Sequence, residues 1–353
     1  MLDMKRSKIA GIGMYVPKNV FTNNDLRKYM DTSDEWIQER TGIQERRYAD
    51  RTGETTTTMG VEAAKIAIER AGLTKDDIDF IVFATICPDY YFPGCGVLLQ
   101  RAMQMKEIGA LDVRNQCSGF VYALSVADQF IKTGMYKNIL VVASEKHSFG
   151  LDFSTRGRNI SVIFGDGAGA VVLQPTEDKN RGILSTHLHS DGNNAEILAM
   201  FNPGTHANHW LEGQKLADFD EAEIGEMFMS HDMIDNAQNF PIMDGPSVFK
   251  VAVVKFPEVI LESLSANGLQ TSDLKLLIPH QANLRISQFV QKKLRLTDDQ
   301  VYNNIQKYGN TTAASIPIAL CEAWEQGKIK EGDLICLAAF GSGFTWASAL
   351  LKW

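Results

Sequence analysis

The chain has 353 residues, of which 44% are hydrophobic and 22% are charged, and this balance is ordinary for a globular protein with a sizeable core. It contains no run of about 18 apolar residues, and residues 1–10 lack the layout of a secretory signal, so we expect no contact with a membrane. The formal charge of −8 argues against nucleic-acid binding, because that binding requires a cationic surface.

Short apolar runs rich in β-branched residues alternate with amphipathic helical stretches along the chain. This alternation predicts an α/β protein whose sheets are covered by helices. Thr32 and Glu35 have the spacing of a capping box and predict a first helix that ends at Gly42. Residues 55–71 predict a second helix, which Gly72 ends in the same way. The predicted strands are 80–85, 139–144, 168–173, 274–279, 334–340 and 346–351.

The two halves of the chain repeat one arrangement. A predicted strand precedes Cys117 by about thirty residues, and another precedes Asn310 by about the same distance. Each of these residues is followed by a helix, a strand, a glycine-rich turn and a last strand, with the turns at 165–169 and 341–343. We therefore predict two halves, 1–176 and 177–353, joined by a polar stretch at 174–182. Chance alternation in an α/β chain is the alternative to this interpretation.

Cys117 lies where an extended run meets a predicted helix. A thiol at a helix N-terminus is favoured as thiolate, so we expect a lowered pKa and a nucleophilic role. A buried structural thiol is the commoner role of a free cysteine, and the position alone leaves that alternative open. We assign that structural role to the other four cysteines, which are Cys87, Cys95, Cys321 and Cys336.

His280 and Asn310 are two further candidates for chemistry. His280 ends an apolar strand, where α/β sheets present side chains to a crevice beyond their carboxyl edge. Asn310 follows a glycine at a junction between a loop and a helix. Taken alone, each also suits a structural role, as a satisfied histidine or as an N-cap.

The cysteine pattern bears on compartment and on metals. Five scattered cysteines argue against a disulfide framework and favour the cytoplasm. No Cys-x-x-Cys pair is present, and we predict no metal site. His206 and His209 have a spacing that binds metal on a helix, but no companion ligands are evident and a solvated loop is the preferred interpretation.

These residues lie in motifs that together resemble the β-ketoacyl-acyl-carrier-protein synthase III family of thiolase-fold condensing enzymes. The motifs span nearly the whole chain, at residues 32–37, 40–43, 164–169, 185–189, 248–253, 279–285, 309–311 and 344–346. The resemblance implies a thiolase-like fold in which two pseudo-repeated halves form a layered αβαβα sandwich. It also implies a homodimer.

The resemblance further implies an acyltransferase that needs no cofactor. Such an enzyme joins an acyl-CoA primer to malonyl-acyl-carrier protein by decarboxylative Claisen condensation and yields a β-ketoacyl-acyl-carrier protein, in fatty-acid synthesis initiation or a related pathway. Cys117 would carry the acyl group, and His280 and Asn310 would stabilise the enolate left by loss of carbon dioxide.

The family's binding residues transfer to matching positions of this chain. The backbone N–H groups of Cys117 and Ser342 would form the oxyanion hole. The positions that match the site for CoA or phosphopantetheine are Trp36, Arg40, Arg156 and Gly157, where Trp36 and an arginine could sandwich an adenine. Phe340 and, reaching across the homodimer, Phe92 would line the acyl pocket. The predicted carrier-protein contacts are Lys250, Arg285, Lys292 and Lys293, for which a solvated charged face is the alternative.

The chain departs from the family pattern in three places. Ser342 replaces a commoner glycine, which predicts a more restricted backbone. Asn115 and Gln116 replace small apolar residues before Cys117 and are expected to reshape the acyl pocket. A segment near 193–244 is longer than expected by about thirty residues and is predicted to form a helical cap over the entrance.

Three other functions remain as alternatives. The first is a thiolase-fold enzyme of specialised metabolism that condenses longer acyl or β-ketoacyl thioesters, or transfers acyl groups to another nucleophile. The second is a papain-like protease, because that class also uses cysteine, histidine and asparagine in this order, although the sequence around Cys117 lacks its motif. The third is a noncatalytic scaffold, which the presence of all three reactive residues disfavours.

Overall fold

The computed structural model describes residues 6–204, 229 and 231–353. The strands of these residues are β1 (Arg6–Tyr15), β2 (Val20–Thr22), β3 (Glu45–Arg47), β4 (Phe80–Ala84), β5 (Gly109–Val113), β6 (Ile139–Glu145), β7 (Gly167–Thr176), β8 (Gly182–Ser190), β9 (Leu198–Ala199), β10 (Ile242–Met243), β11 (Leu276–Pro279), β12 (Leu334–Gly341) and β13 (Thr345–Lys352). The helices are α1 (Asn23–Leu26), α2 (Asp34–Thr41), α3 (Thr56–Arg70), α4 (Cys95–Ala102), α5 (Gly119–Lys132), α6 (Arg158–Ser161), α7 (His231–Asp235), α8 (Gly245–Ala266), α9 (Leu284–Leu294), α10 (Ile305–Tyr308) and α11 (Ser315–Glu325). Within the described ranges, every helix is too short or too polar to span a bilayer.

Two mixed sheets of the same design form the frame. The first has the strand order β1-β7-β6-β4-β5, and the second has the order β8-β13-β12-β11. In each sheet the first two pairings of this order are antiparallel and the next is parallel. The counterpart of β5 is reduced to one parallel bridge between Leu277 and Val301. The predicted repetition is therefore confirmed by the strand order.

The sheets and helices stack in five layers. In the first sheet, Val82 faces the layer of α5 and α11, whereas Phe83 faces α3. In the second sheet, Leu337 faces the same shared layer, whereas Ala338 faces α8 and α9. Side chains alternate across a strand, so each sheet is buried on both faces. The predicted αβαβα sandwich is confirmed.

The predicted strands are all present, with ends displaced by at most three residues. The largest displacement is at β7, which runs on from the predicted end at 173 to Thr176 because its pairing with β1 continues to Arg6. The second predicted helix is α3, and Thr55 is its N-cap. The next strand, β8, begins at Gly182, so the predicted linker shortens to residues 177–181. The division at residue 176 stays a prediction.

The predicted cap of α2 is wrong by one residue. Ser33 has an extended backbone and its hydroxyl accepts a hydrogen bond from the N–H of Trp36 at 3.1 Å. Thr32 Oγ1 is buried and has no hydrogen-bond partner among the residues that the structure describes. Burial of Ile37 in the core fixes the phase of the helix and puts Ser33 at its start. Gly42 ends the helix with φ 77°, as predicted.

The insertion near 193–244 is closed at its base. Strands β9 and β10 pair with each other, and the N–H of Asp244 donates to the carbonyl of Ile197 at 2.8 Å. Most residues of the predicted helical cap lie outside the described residues, as do His206 and His209. The cap residues concerned are Asp218, Asp220, Glu221, Glu223, Glu226, Met227 and Phe228.

Replacing the two candidate caps of α2 distinguishes them. We expect Ser33→Ala to lower the free energy of unfolding by about 1 kcal/mol, because the N–H of Trp36 loses its acceptor. The control Thr32→Val removes a hydroxyl without a partner and should change the stability by less than about 0.5 kcal/mol. Urea unfolding followed by circular dichroism measures both, and the opposite order would restore Thr32 as the cap.

Candidate active site

Cys117 is held at the junction of the two halves. It lies in a 3-10 turn, Gln116–Ser118, that leads directly into α5, and it is buried with 7% of its surface exposed. The turn packs against β12, where a Cβ added to Gly341 would lie 2.5 Å from Cys117 Cβ and 3.0 Å from its Sγ. Only glycine therefore allows the backbone of β12 to approach the thiol this closely.

Two backbone N–H groups point at the sulfur of Cys117, its own and that of Ser342. The expected restriction at Ser342 is not seen, because Gly343 takes the positive φ of this turn, at 133°. The Ser342 hydroxyl instead donates to the carbonyl of Leu198 at 2.5 Å. The turn that carries the second N–H is thus anchored to the base of the insertion.

The predicted lowering of the Cys117 pKa is wrong for the protein without substrate. Burial raises the pKa of this thiol to about 12, and the nearby Glu145 carboxyl acts in the same direction. The two backbone N–H groups oppose this rise but do not outweigh it. The effect of the helix N-terminus on the pKa is smaller than that of desolvation, so Cys117 is a thiol at physiological pH.

His280 follows β11 directly, and its N–H donates to the carbonyl of Ala338 at 2.8 Å. Its Nδ1 lies 2.6 Å from the hydroxyl oxygen of Ser315, at the start of α11. Its Nε2 is buried and has no partner in the described part of the chain. Burial lowers the pKa of His280 to about 3, so the imidazole is neutral at physiological pH.

Hydrogen bonds of both its backbone and its side chain hold Asn310 in place. Its N–H donates to the carbonyl of Ile163 at 2.9 Å, and its carbonyl accepts from the N–H of Gly165 at 3.0 Å. Its Oδ1 accepts from the N–H of Thr312 at 2.8 Å, which leaves Nδ2 as the donating end of the side chain. The backbone on both sides is thereby tied to the first half of the chain.

One turn joins these three positions. The residues Thr312–Ala314 pack against the turn of Cys117, and they also connect Asn310 to α11. The hydroxyl oxygen of Ser315 lies 2.6 Å from His280 Nδ1 and 2.9 Å from the carbonyl oxygen of Thr312, and donation of its one proton to Nδ1 leaves the imidazole N–H on Nε2. Packing and hydrogen bonds of residues 312–315 therefore link the buried thiol of Cys117, the neutral imidazole of His280 and the carboxamide of Asn310. Ser315 was present in the Asn310 motif, but its contact with His280 was not predicted.

The matched CoA positions lie on one surface. The guanidinium of Arg40 lies 4.4 Å from the ring centroid of Trp36, and that of Arg158 lies 5.1 Å from it. Arg156 instead pairs with Asp152, with 2.7 Å between Nε and Oδ2. Arg158 was not predicted, although it stands two residues after Arg156. The sequence alone does not show which of Arg156 and Arg158 lies beside Trp36, because that depends on the path of this turn.

Gly157 is a glycine for a steric reason, because an added Cβ would lie 2.2 Å from the carbonyl oxygen of Asp152.

The two matched acyl-pocket residues differ in environment. Phe340 is buried on β12 and packs on Phe344, with ring centroids 5.0 Å apart. Phe92 is 80% exposed and does not enter the core of its own chain.

The four matched carrier-protein residues are exposed on two neighbouring helices. Lys250 lies on α8, and Arg285, Lys292 and Lys293 lie on α9. These helices pack together, and the rings of Phe249 and Phe289 meet edge to face at 6.3 Å. The side chain of Asn283, just before α9, donates to the carbonyl of Arg40 at 2.9 Å. The basic helix therefore borders the Trp36 surface.

Comparisons with known proteins show which family the chain resembles over its length. The family model described as 3-Oxoacyl-[acyl-carrier-protein (ACP)] synthase III matches residues 111–192, and the model of its C-terminal part matches residues 264–353. A β-ketoacyl-[acyl-carrier-protein] synthase III of Xanthomonas campestris is 46% identical and covers 98% of each chain.

Two solved structures extend the comparison. The 3-oxoacyl-[acyl-carrier-protein] synthase III of Aquifex aeolicus is 43% identical, with a TM-score of 0.84 over 98% of this chain and 100% of that chain. The priming β-ketosynthase from the R1128 polyketide biosynthetic pathway is 30% identical, with a TM-score of 0.86 over 100% of this chain and 98% of that chain.

Adding one methyl group beside the thiol tests this geometry. We expect Gly341→Ala to slow acylation of Cys117 at least about a hundredfold, because the new Cβ displaces β12 from the sulfur. The matched control is Gly150→Ala, whose Cβ meets no atom within 4 Å. The rate of mass gain on Cys117 with acyl-CoA measures both variants, and equal rates would contradict the described packing.

Proposed function

The chain belongs to the β-ketoacyl-acyl-carrier-protein synthase III family, and from this membership we propose that Cys117, His280 and Asn310 are its catalytic residues. The enzyme condenses an acyl-CoA primer with malonyl-acyl-carrier protein and releases carbon dioxide. The observation that carries the assignment of residues is the single turn, Thr312–Ala314, that links all three.

The first step transfers the acyl group to Cys117. The sulfur attacks the thioester carbonyl, the bond from carbon to the CoA sulfur breaks, and CoA leaves as its thiol. The N–H groups of Cys117 and Ser342 bind the oxyanion of the tetrahedral intermediate. Burial keeps Cys117 protonated, so the thiol loses its proton as the sulfur attacks, and the departing CoA sulfur takes up that proton.

The second step makes the carbon–carbon bond. The malonyl thioester loses carbon dioxide, and the electron pair of the broken bond forms an enolate whose oxygen accepts hydrogen bonds from His280 and Asn310. The enolate carbon attacks the acyl carbonyl, the bond to Cys117 breaks, and the departing sulfur takes a proton from water. Decarboxylation supplies the carbanion, so the reaction needs neither a strong base nor a cofactor.

We extend the proposal to binding of the thioester arm. Trp36 and Arg40 bind the nucleotide end of CoA, and Arg158 joins them because it lies over the same ring. Arg156 and Gly157 belong to the neighbouring turn and bind the phosphate and pantetheine parts. The basic helix α9 borders this surface, and α8, which carries Lys250, packs against α9, so an acidic carrier protein that docks there delivers its arm to the same entrance.

The homodimer and the cytoplasm are parts of the proposal. Tyr90, Tyr91 and Phe92 expose 52%, 58% and 80% of their surfaces in one loop, and a second copy that covers them would place Phe92 against its acyl pocket. All five cysteines are free, as expected in a reducing compartment.

A second candidate is priming of a specialised pathway by the same chemistry. Similarity to the polyketide priming β-ketosynthase over the whole chain favours it. So does the anchoring of the oxyanion turn to the insertion through Ser342, because this contact couples the acyl step to a segment of unusual length. Masses gained by Cys117 from a mixture of short and long acyl-CoAs separate the two pathways.

The function is tested by incubating the protein with acyl-CoA and malonyl-acyl-carrier protein. We expect carbon dioxide and a β-ketoacyl-carrier protein in equal amounts from the wild type, and no condensation from Cys117→Ala. Cys95→Ala is the control, because it removes a buried thiol elsewhere in the chain. A wild type that carries an acyl group on Cys117 but never condenses it would contradict the proposal.

The pKa of His280 predicts the pH dependence of the second step. A group with a pKa lowered from 6.5 to about 3 stays a neutral donor down to about pH 4. Decarboxylation of malonyl-carrier protein by Cys117→Ala should therefore show no inflection near pH 6.5. His280→Asn should slow the same reaction about a hundredfold. An acidic limb centred near pH 6.5 would show that the imidazole is not desolvated.

A further inference from the structure

Three residues outside the catalytic set, two of them buried and one partly exposed, form a cluster. They are Cys87, Glu145 and His147, and their ligand atoms all lie within 4.8 Å of one another. Strands β4 and β6 are parallel neighbours, and the residues follow or end these strands, so the carboxyl edge of the sheet brings them together. Glu145 is fully buried and His147 is 7% exposed. Neither the acyl step nor the decarboxylation uses them.

The positions of the atoms suit a tetrahedral metal ion. Cys87 Sγ and His147 Nδ1 are 3.5 Å apart. A sulfur and a nitrogen at their usual distances from zinc, on two corners of a tetrahedron, are also about 3.5 Å apart. From this agreement, we propose that the cluster binds a divalent transition-metal ion of the zinc class through Cys87, His147 and Glu145, with water as the fourth ligand.

Glu145 has one carboxylate oxygen available for this purpose. Its Oε2 accepts hydrogen bonds from Thr85 Oγ1 and from the N–H groups of Ile86 and Cys87, at 3.0, 3.1 and 3.2 Å. Its Oε1 accepts a long bond, 3.4 Å, from the N–H of Ala313, and the Cys87 thiol also hydrogen-bonds to this carboxyl group. The carboxylate is therefore held in place by one oxygen while the other can turn to a metal ion.

The charges and the ligand types select the class of ion. A thiolate and a carboxylate together carry two negative charges, which a divalent cation neutralises in a site that water does not screen. Sulfur and imidazole nitrogen are ligands of zinc, cobalt or nickel, whereas magnesium and calcium prefer a shell of oxygen. We therefore assign the site to an ion such as zinc, cobalt or nickel.

The second nitrogen of His147 connects this cluster to the catalytic turn. His147 Nε2 lies 2.5 Å from Thr312 Oγ1, and a hydroxyl that accepts from Nε2–H leaves Nδ1 free to bind the ion. Thr312 also donates its N–H to Oδ1 of Asn310. The bound ion would hold the turn of Asn310 against the first sheet, so its role is positional and it does not touch substrate.

Cobalt is a spectroscopic probe for the proposed site. Since Cys117 is a second thiol near a histidine, the test uses Cys117→Ser protein. On addition of Co²⁺ alone, we expect a sulfur-to-cobalt charge-transfer band that saturates at about one ion per chain. The band should vanish in Cys87→Ser/Cys117→Ser and persist in Cys336→Ser/Cys117→Ser, which removes a buried thiol elsewhere.

A second pair of variants keeps the test valid if loss of Cys87 prevents folding. Thr312→Ala removes the hydroxyl that orients His147 and should weaken Co²⁺ binding at least about tenfold, whereas Thr312→Ser keeps the hydroxyl and the affinity. The proposal is overturned if the Cys117→Ser protein shows no band, or if the band survives the loss of Cys87. Either result would overturn only the metal site and would leave the proposed condensation mechanism standing, because the ion takes part in no step of that mechanism.

Discussion

The close approach of two buried helix N-termini is the constraint on which the rest of the structure depends. Helices α5 and α11 fill the layer between the sheets, and a Cβ added to Gly119, at the start of α5, would lie 3.3 Å from Cβ of Ala313, just before α11. Cys117 immediately precedes one helix, and the turn after Asn310 immediately precedes the other. Because each helix is packed against both sheets, neither end can move without disturbing the core.

Burial at this junction determines the chemistry of the site. Desolvation holds Cys117 as a thiol and His280 as a neutral imidazole. In the proposed mechanism, negative charge that develops on substrate oxygen is therefore stabilised by directed N–H donors with little competing water. The donors need no rearrangement, because His280 is oriented by Ser315 and Asn310 by Thr312. Thr312 lies in the turn and Ser315 follows that turn directly at the start of α11. This adjacency explains how His280 and Asn310, thirty positions apart in the chain, are positioned as a unit.

Periodicity and motifs predicted most of the fold, because alternation along each strand reflects burial on two faces. They placed Cys117, His280 and Asn310 correctly at strand ends and helix starts. The predictions that were wrong concerned features that depend on tertiary packing. The cap at Ser33 was set by the phase of α2, and the pKa of Cys117 was set by the depth of burial. The contacts of Ser315 and Arg158, and the cluster at Cys87, join segments that no local pattern relates.

A crystal structure of the protein acylated on Cys117 tests the central claim most directly. We expect the acyl carbonyl oxygen within about 3 Å of the backbone nitrogens of both Cys117 and Ser342, with His280 Nε2 and Asn310 Nδ2 facing the acyl carbon from the opposite side. An acyl oxygen that points toward His280 and Asn310, away from the turn of Ser342, would contradict the account. In the account, the N–H groups of Cys117 and Ser342 bind the acyl oxyanion, whereas His280 and Asn310 bind the enolate oxygen.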